Sequence, residues 1–467
     1  MNTETEIKLR VSAETLQQLP DHPLLRGRLQ GEWQTVELLN QYFDTADGQL
    51  AAARVALRLR RDGDAIIQTL KTRGNSVAGL SERNEWDWHL QQPQLDLSLL
   101  TDDCWPAALA GLDLSLLQPL FTTDFRRVRG ELRWEREGEP VCVEAALDSG
   151  RVLAGEAVED ICELELELRE GPAEAVLELA LALAADVPLM PCDISKAERG
   201  YRLLQADSYQ LRLPAVDWQA TAVVDEVVEG LGWQLLGNSQ RLAEQYRHLG
   251  QWRLFRELTG QLADLRALFG VFDLGLPRSS AQPFTGPLDA LLAQLRPLVL
   301  SGWADDEHGR AARDAAPALF AELLAQPAWG QLFVGLALWL RTRGWTQGRP
   351  PRGNKVGNLE LPRWLLAACA REVHELQVPH ANDDDVRVAE CVDQMPRLGR
   401  LHLLLGNLRH RLEVPEADRL FGELNKLQAL LEQLPQVDAE SRPLLLAALR
   451  KQGTRVRRLD AWRVLNS

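Results

Sequence analysis

Carboxylates stand at alternate positions in two short segments of the chain. Glu4 and Glu6 lie near its start, and Glu163, Glu165 and Glu167 follow one another at the same spacing. In a β-strand, residues two apart point to the same face, so each segment would present a row of carboxylates. Carboxylate oxygens are the hard ligands that Mg²⁺ and Mn²⁺ prefer. If the two rows face one interior, they predict a divalent-metal site.

Basic side chains alternate in the same way along other segments, opposite apolar residues. One charged strand face is usually just exposed to solvent, but the pattern recurs here, which favours a shared interior. Arginine and lysine donate charge-assisted hydrogen bonds to phosphate. Because buried like charges are costly unless compensated, a site with both rows requires a polyanionic, metal-bound ligand such as a nucleotide or an inorganic polyphosphate. The basic residues are Lys8, Arg58, Arg60, Lys71, Arg83, Arg127 and Arg129.

Apolar and polar residues alternate with a period of two through about residue 203, as half-buried strands require. Two segments, Ala13–Leu19 and Ala173–Ala185, have helical spacing instead. Many antiparallel strands with few helices indicate a closed or nearly closed barrel. The predicted strands are Glu4–Val11, Gln34–Phe43, Ala53–Arg61, Ala65–Arg73, Glu82–Leu90, Thr122–Val128, Glu131–Glu135, Val141–Asp148 and Cys162–Arg169.

From about residue 217 the apolar spacing becomes helical, in long Leu- and Ala-rich stretches that Gly and Pro interrupt. Such a succession is typical of helical bundles. The predicted fold class is therefore α+β, with an N-terminal antiparallel β-barrel followed by an all-α helical-bundle domain. The predicted boundaries are residues 1–203 for the barrel, 204–216 for a linker and 217–467 for the helical domain.

The charge of the chain is distributed unevenly. Its 467 residues carry a formal net charge of −15; residues 1–210 hold 21 Lys and Arg against 37 Asp and Glu, and residues 211–467 hold 31 against 30. A net acidic chain argues against general nucleic-acid binding, which needs a basic surface to release phosphate counterions. The N-terminus lacks the features of a secretory signal, and no apolar run reaches membrane-spanning length. We expect a cytoplasmic protein without a membrane span.

The order of the motifs makes this chain similar to a known family. Glu4-Thr5-Glu6-Ile7-Lys8 resembles the ExExK signature of the CYTH superfamily, the triphosphate tunnel metalloenzymes. Later motifs resemble those of the family in the same order, over roughly residues 1–203. They are Tyr42-Phe43-Asp44-Thr45, Leu57-Arg58-Leu59-Arg60, Thr69-Leu70-Lys71, Arg83-Asn84-Glu85, Ala146-Leu147-Asp148-Ser149-Gly150, Glu163-Leu164-Glu165 and Ser195-Lys196-Ala197-Glu198-Arg199-Gly200-Tyr201.

The resemblance implies an eight-stranded antiparallel barrel whose tunnel binds a triphosphate together with Mg²⁺ or Mn²⁺. Lys196 would join the basic residues named above as a phosphate ligand, and Glu85 or Asp148 would orient water or basic side chains. The residues implied to be catalytic are Glu6, Lys71, Glu85 and Glu165. Those implied to bind metal are Glu4, Glu6, Asp148, Glu163, Glu165 and Glu167. The third glutamate of the last row leaves open which two of that row bind the ion.

The helical part resembles a CHAD domain, the α-helical module that commonly follows a CYTH domain and is known for histidines and polyphosphate binding. The resemblance rests on position, length and helicity, and it makes polyphosphate the expected ligand of this domain. Two clusters of His and Arg residues roughly resemble the His and Arg pattern of that module. They are His248, Arg253 and Arg256, and Arg397, Arg400, His402, Arg409, His410 and Arg411.

The CYTH–CHAD arrangement resembles that of bacterial inorganic triphosphatases, which hydrolyse tripolyphosphate to pyrophosphate and phosphate. Two alternatives stay open. An enzyme of the same fold, such as an adenylate cyclase or a thiamine triphosphatase, would need an apolar or aromatic mouth for the rest of its substrate. A polyphosphate-binding adaptor would hold the polyanion without turnover.

Glu6→Gln and Glu165→Gln are each expected to nearly abolish turnover and to leave the fold intact. Each substitution removes an anionic ligand for a hard divalent cation at almost constant side-chain volume. Excess metal should partly restore the rate. Phosphate release from tripolyphosphate at limiting metal measures the effect, with circular dichroism as the check on folding. Unchanged activity of both variants would contradict the assignment of these residues to the metal.

Overall fold

The computed structural model describes residues 2–72, 74–77, 79–206 and 209–467. The chain divides into two compact units, one formed by Met1–Leu213 with Ala321–Leu338 and the other by Pro214–Phe320 with Trp339–Ser467. The first unit thus includes a segment from the predicted helical domain, and the boundaries at residues 203 and 217 stay a prediction. The predicted strand end at Arg73 and the linker residues Asp207 and Ser208 lie outside the described residues.

The strands of the first unit form one antiparallel sheet that closes into a barrel. They are β1 (Asn2–Arg10), β2 (Leu29–Asp44), β3 (Ala56–Asp62), β4 (Ala65–Lys71), β5 (Asn75–Val77), β6 (Leu80–Leu90), β7 (Gln118–Arg136), β8 (Glu139–Ala154), β9 (Ala157–Glu170) and β10 (Met190–Pro191). Eight of them follow the order β1-β9-β8-β7-β2-β3-β4-β6, and the pairing of β1 with β6 closes the ring. The short strands β5 and β10 extend β6 and β1 outside this ring. The predicted fold class is confirmed.

One long strand replaces two predicted ones. The segments Thr122–Val128 and Glu131–Glu135 both belong to β7, which continues through Gly130. A Cβ atom at Gly130 would lie 2.5 Å from the Leu29 side chain and 2.8 Å from the Trp33 ring. The glycine therefore permits close packing against β2 within the strand. It does not mark a turn, and the barrel has the eight strands that the family resemblance implies.

The outer face of the barrel is apolar, as the alternation predicts. Ile7, Leu9, Leu164 and Leu166 of β1 and β9 are fully buried, and helix Glu174–Leu183 packs on these strands. The outer face of β3, β4 and β6 packs against apolar residues of the segment 95–117, which contains short 3₁₀ turns. With their apolar faces covered from outside, the strands turn their polar faces inward.

One end of the interior is filled by apolar side chains and by a helix that the sequence pattern did not predict. Helix Lys196–Leu204 contributes Leu203 and Tyr201 to two small cores with inward-facing strand residues. A Cβ at Gly200 would lie 2.2 Å from the Phe121 ring, so this helix packs directly on β7. The strand residues of these cores are Leu38, Tyr42, Phe121, Phe125, Val152, Ala154 and Ile161.

The helices between Val224 and Leu465 agree with the helical spacing of that part of the sequence. The described helices are α1 (Ala13–Gln18), α2 (Pro23–Arg26), α3 (Gln49–Ala52), α4 (Glu174–Leu183), α5 (Lys196–Leu204), α6 (Val224–Leu249), α7 (Trp252–Val271), α8 (Arg278–Ser301), α9 (Glu307–Leu324), α10 (Pro327–Arg341), α11 (Pro351–Gly357), α12 (Leu361–Glu375), α13 (Asp385–Glu390), α14 (Met395–Leu408), α15 (Ala417–Gln433), α16 (Arg442–Arg458) and α17 (Asp460–Leu465). Among the residues described, no single helix is long and apolar enough to cross a membrane, and α9 with α10 meets that test only as a pair bent by 71°. The cytoplasmic location stays a prediction.

A fragment of residues 1–206 should keep the metal-dependent hydrolysis predicted above but unfold at a lower temperature than the full chain. It contains every predicted site residue, yet it lacks Ala321–Leu338 of the same compact unit. Gly330 of that segment packs so closely on Leu189 that a Cβ would lie 2.8 Å from the Leu189 carbonyl oxygen. Removing the segment exposes apolar surface.

Thermal unfolding followed by circular dichroism measures the decrease in unfolding temperature. Gly330→Val in the full chain is the matched variant, because it disrupts the same packing without removing the segment. A folded fragment that binds tripolyphosphate but does not hydrolyse it would show that later residues complete the active site.

Candidate active site

The charged interior of the barrel encloses a cavity of about 270 Å³ lined by nine basic and eight acidic side chains. Its volume is at the small end of ligand pockets, which begin at roughly 300 Å³, so it suits a small, highly charged ligand. Asp148 and Glu163 lie behind its wall and are 0% and 2% exposed. The predicted site residues that line it are Glu4, Glu6, Lys8, Arg58, Arg60, Lys71, Arg83, Glu85, Arg127, Arg129, Glu165, Glu167 and Lys196.

The register of β1 with β9 brings the two predicted rows of carboxylates together. Glu6 pairs with Glu167 across the ladder, whereas Lys8 pairs with Glu165. Like charges directly opposite each other destabilise a strand pair. Lys8 donates a hydrogen bond to Glu6 and so compensates one of these carboxylates.

One group of carboxylates already has cationic partners. Ligand oxygens of Asp148, Glu163 and Glu165 lie within 4.8 Å of one another, close enough for a metal ion. The Lys196 ammonium, however, lies 2.8 Å from Asp148 and 2.9 Å from Glu165, and it also contacts Glu163. Arg127 Nε and Nη2 donate to the two Asp148 oxygens, both at 2.7 Å, and Nη2 reaches Glu165 at 2.6 Å.

These cations keep Glu165 ionised. Burial opposes ionisation of Glu165, but the nearby charges of Lys196, Arg127 and Lys8 outweigh burial, so the pKa of its carboxyl group is well below the ordinary value. A metal ion at this position would have to displace Lys196.

A second group of carboxylates is under-compensated. Burial raises the pKa of Glu167 to about 8, and the charges of Glu4, Glu6 and Glu144 add to this, although Arg169 lies 2.6 Å away. All of these side chains line the cavity. Hard oxygen donors with excess negative charge fit a divalent cation, and Glu165 borders the same wall.

The opposite imbalance exists at Arg60. Burial, together with the charges of Arg58 and Arg127, lowers the pKa of its guanidinium to about 10. Its Nε donates to Asn40 Oδ1 at 2.8 Å, which is a neutral acceptor, and Asn40 in turn donates to Thr123 at 2.9 Å. An anion in the cavity would supply the missing negative charge.

Lys71 and Glu85 connect the two sides of the cavity. The Lys71 ammonium lies 2.8 Å from Glu4 and 2.9 Å from Glu85, and Glu85 lies 3.6 Å from Arg58. Burial opposes ionisation of Glu85, but Lys71 and Arg58 lower the pKa of its carboxyl group. Glu85 is therefore an anion that orients two cations toward the cavity.

The structure explains the motif that begins at Ser195. The Ser195 hydroxyl accepts a hydrogen bond from the Glu198 amide at 3.2 Å and caps the N-terminus of α5. Lys196 reaches the carboxylates, and the Tyr201 hydroxyl donates to Asp44 at 2.8 Å. Asp44 also accepts the backbone N–H groups of α3. The motif thus anchors α5 to β2 and aims Lys196 at the cavity.

Some lining residues were missed by the sequence prediction. Glu144 has the same parity on β8 as Asp148, and Arg169 extends the row of Glu163, Glu165 and Glu167, so alternation alone could have found both. Tyr42 stands in a quoted motif without an assigned role. It is buried, and its ring stacks on Phe121 with 4.8 Å between the ring centroids.

The basic clusters of the helical unit have acidic or polar partners. Arg397 and Arg400 donate to the buried carboxylate of Glu372 at 3.2 and 2.8 Å. His402 contacts Asn425 at 2.9 Å, and Arg409 contacts Asp418 at 2.6 Å. These contacts account for much of the second cluster without a ligand. The CHAD resemblance and polyphosphate binding therefore stay predictions.

Residues 2–201 match the family model of the CYTH domain. Over 203 residues the chain is 32% identical to the inorganic triphosphatase of Haemophilus influenzae. The match covers 44% of this chain and 55% of that protein, so the chain spans about half the length of this relative.

Two solved structures are also similar. A putative adenylyl cyclase from Hippeastrum, described as having a dominant triphosphatase activity, is 26% identical; the match covers 44% of this chain and all of that one, with a TM-score of 0.32. A putative adenylate cyclase from Bacillus halodurans is 22% identical over 40% of this chain and 90% of that one, with a TM-score of 0.26.

The raised pKa of Glu167 predicts a pH-dependent stability in the absence of metal. Its carboxyl group ionises near pH 4.5 in the unfolded chain but near pH 8 in the folded one. The folded state therefore binds the extra proton between these values, and stability should fall as the pH rises from about 4.5 to about 8. Mn²⁺ competes with the proton, so its affinity should rise over the same interval.

Calorimetric unfolding and Mn²⁺ titration between these pH values measure both effects in the wild type and in Glu167→Gln. Glu170→Gln, an exposed carboxylate on the same strand, is the matched control. An equal pH slope in wild type and Glu167→Gln would contradict the assignment.

Proposed function

We propose that the barrel cavity binds inorganic tripolyphosphate with Mg²⁺ or Mn²⁺ and hydrolyses it to pyrophosphate and phosphate. Water adds to a terminal phosphorus, the bond from that phosphorus to the bridging oxygen breaks, and pyrophosphate leaves. For the fully ionised substrate, one proton is released to the solvent. The chain would thus be a hydrolase of phosphoric anhydrides.

The observation that carries this proposal is the paired charge imbalance of one small cavity. Arg60 faces the cavity with a neutral hydrogen-bond partner, and Glu167 has Arg169 as its partner beside the three carboxylates of Glu4, Glu6 and Glu144. A polyanion alone would satisfy the first region, and a divalent cation alone would satisfy the second. A metal-bound triphosphate supplies both charges in one ligand. The CYTH match and the triphosphatase name of the Haemophilus relative support the same reading.

The chain's own cations would bind and orient the phosphates. Arg58 and Lys71 are held by Glu85, so their donors are preorganised before the substrate enters. Preorganised donors stabilise charge that develops in the transition state, and this is usually a large part of catalysis. On the other wall, Arg127 and Lys196 would contribute in the same way.

Glu4, Glu6 and Glu167 would hold the divalent ion, because they line the cavity and the negative charge around Glu167 is incompletely compensated. Glu165 lines the same cavity and would join them by exchanging its contact with Lys196 for the ion. When bound, such an ion neutralises phosphate oxygens and activates water. Asp148 and Glu163 are instead saturated by Lys196, Arg127 and Arg199, and we assign them to the support of those cations. This assignment favours Glu165 and Glu167 over Glu163 as the ligands from the last row.

The cavity favours an inorganic over an organic triphosphate. Its aromatic lining residues are Tyr42 and Phe125. The first stacks on Phe121, and the second lies under Lys196 and Arg127 at 5.1 and 5.7 Å. Neither ring is left to stack on adenine or thiazolium.

Phosphate and pyrophosphate release from tripolyphosphate, ATP and thiamine triphosphate, each with Mg²⁺, Mn²⁺ or chelator, tests the proposal. We expect equal amounts of both products from tripolyphosphate, only with metal, and slower reaction of the organic triphosphates. Arg60→Ala should lower the rate by about 10²-fold, as loss of one charge-stabilising donor typically does. Arg126→Ala, which removes an exposed arginine of the same strand as Arg127, is the control.

Formation of cyclic AMP from ATP without hydrolysis of tripolyphosphate would favour a cyclase. Tight binding of tripolyphosphate without turnover at any metal concentration would favour an adaptor. Either result would refute the proposed activity.

A further inference from the structure

Three basic residues on one face of α5 are buried in the protein. Lys196, Arg199 and Arg202 are spaced three residues apart, and only 7%, 0% and 2% of their surface is exposed. Residues three apart are neighbours on a helix surface, so these cations lie side by side. Buried cations are costly unless they are paired and hydrogen-bonded. Their partners therefore determine where the helix can sit.

The carboxylate of Glu159 accepts hydrogen bonds from three guanidinium groups. Its Oε1 accepts from Arg10 at 3.0 Å and from Arg199 Nε at 2.7 Å, and its Oε2 accepts from Arg202 at 2.6 Å. We call these four residues the Glu159 cluster. It joins α5 to β9 and β1, and breaking any of these buried pairs would leave an uncompensated charge. The cluster therefore opposes displacement of α5.

Arg199 connects the Glu159 cluster to Lys196. Its Nη1 donates to Glu163 Oε2 at 3.2 Å, and Lys196 donates to the other oxygen of the same carboxylate. The rigid guanidinium fork can fix two acceptors at once, which an ammonium group on a flexible stem does less well. The orientation of Glu163, and through it that of Lys196, thus depends on Arg199.

Lys196 has all three N–H donors directed at carboxylates. An ammonium group has three donors and no acceptor, and here they face Asp148 and Glu165 at 2.8 and 2.9 Å and the Glu163 oxygen already described. Glu165 lines the cavity, whereas Asp148 and Glu163 lie behind its wall. Lys196 is therefore held from behind, with its charge at the wall.

We propose that Arg199 and Glu159 are positioning residues that fix Lys196 at the cavity wall through Glu163. Neither residue lines the cavity, so neither would touch the bound polyanion. The inference rests on the proposed function, because it assumes that Lys196 contacts the triphosphate. It adds that the affinity for triphosphate is set partly by a buried ion cluster at the closed end of the barrel.

A double-mutant cycle on tripolyphosphate binding tests this role. Arg199→Met should weaken binding in chelator, measured by calorimetry on the full chain, by about tenfold, which is ~1.4 kcal/mol. The same substitution in a Lys196→Met background should cause no further loss, because a residue that acts through Lys196 has nothing left to position. Arg199→Lys, which keeps the charge but loses the fork, should weaken binding to a smaller extent.

Arg151→Met is the matched control, since Arg151 of β8 pairs with Asp160 of β9 at 3.6 Å, and both side chains are exposed. If circular dichroism shows that Arg199→Met does not fold, Arg199→Lys and Glu159→Gln replace it in the same double-mutant cycle. Losses that add in the double variant, or an unchanged affinity of the folded variants, would overturn the positioning role while wild-type binding upholds the function. If the wild type bound tripolyphosphate neither in chelator nor with Mn²⁺, both the positioning role and the proposed function would be refuted.

Discussion

The compensation of charges inside a closed barrel is the constraint on which the rest of this structure depends. Strands alternate their side chains between two faces, and the apolar face is covered from outside by α4 and the segment 95–117. The polar face must then point inward, where water is limited. Each buried charge there needs a partner of opposite sign or a ligand that supplies one. This requirement sorts the interior into regions with different functions.

The sorting follows depth. Behind the cavity wall, the carboxylates of Asp148, Glu163 and Glu159 are saturated by cations at hydrogen-bond distance. These deeper ion pairs fix the positions of the charged side chains at the wall. At the wall, Arg60 and Glu167 are left with incomplete compensation, so this layer is ready for ligand. If short distances between carboxylates were the only criterion, the deeper group of Asp148, Glu163 and Glu165 would be the predicted metal site. The balance of charges instead favours the carboxylates around Glu167 at the cavity wall. Charge balance is the stronger criterion here because a cation already occupies the deeper group.

Period-two alternation predicted most of the strands and the inward rows of charge. It divided β7 into two strands at Gly130, and it left open whether the barrel closes. It could not predict α5, because the helix is short and its buried face is basic. A basic face is ordinarily interpreted as exposed to solvent. Alternation also could not distinguish Glu163 from Glu167, since both lie on the same strand face. That distinction comes from register, which sets Glu6 opposite Glu167 and Lys8 opposite Glu165. Pairings between strands that are distant in the sequence are invisible to local pattern.

The incomplete compensation at the wall also links stability to ligand. A cavity that holds Arg60 beside Arg58 and Arg127, and Glu167 beside Glu4 and Glu6, keeps like charges together in the folded chain. Folding must overcome this repulsion. The deeper ion pairs and the apolar cores at one end of the barrel interior hold the wall residues in place. A ligand that binds only the folded state then stabilises it by mass action. Charges that weaken the empty barrel are thus the same charges that give it affinity for a metal-bound polyanion.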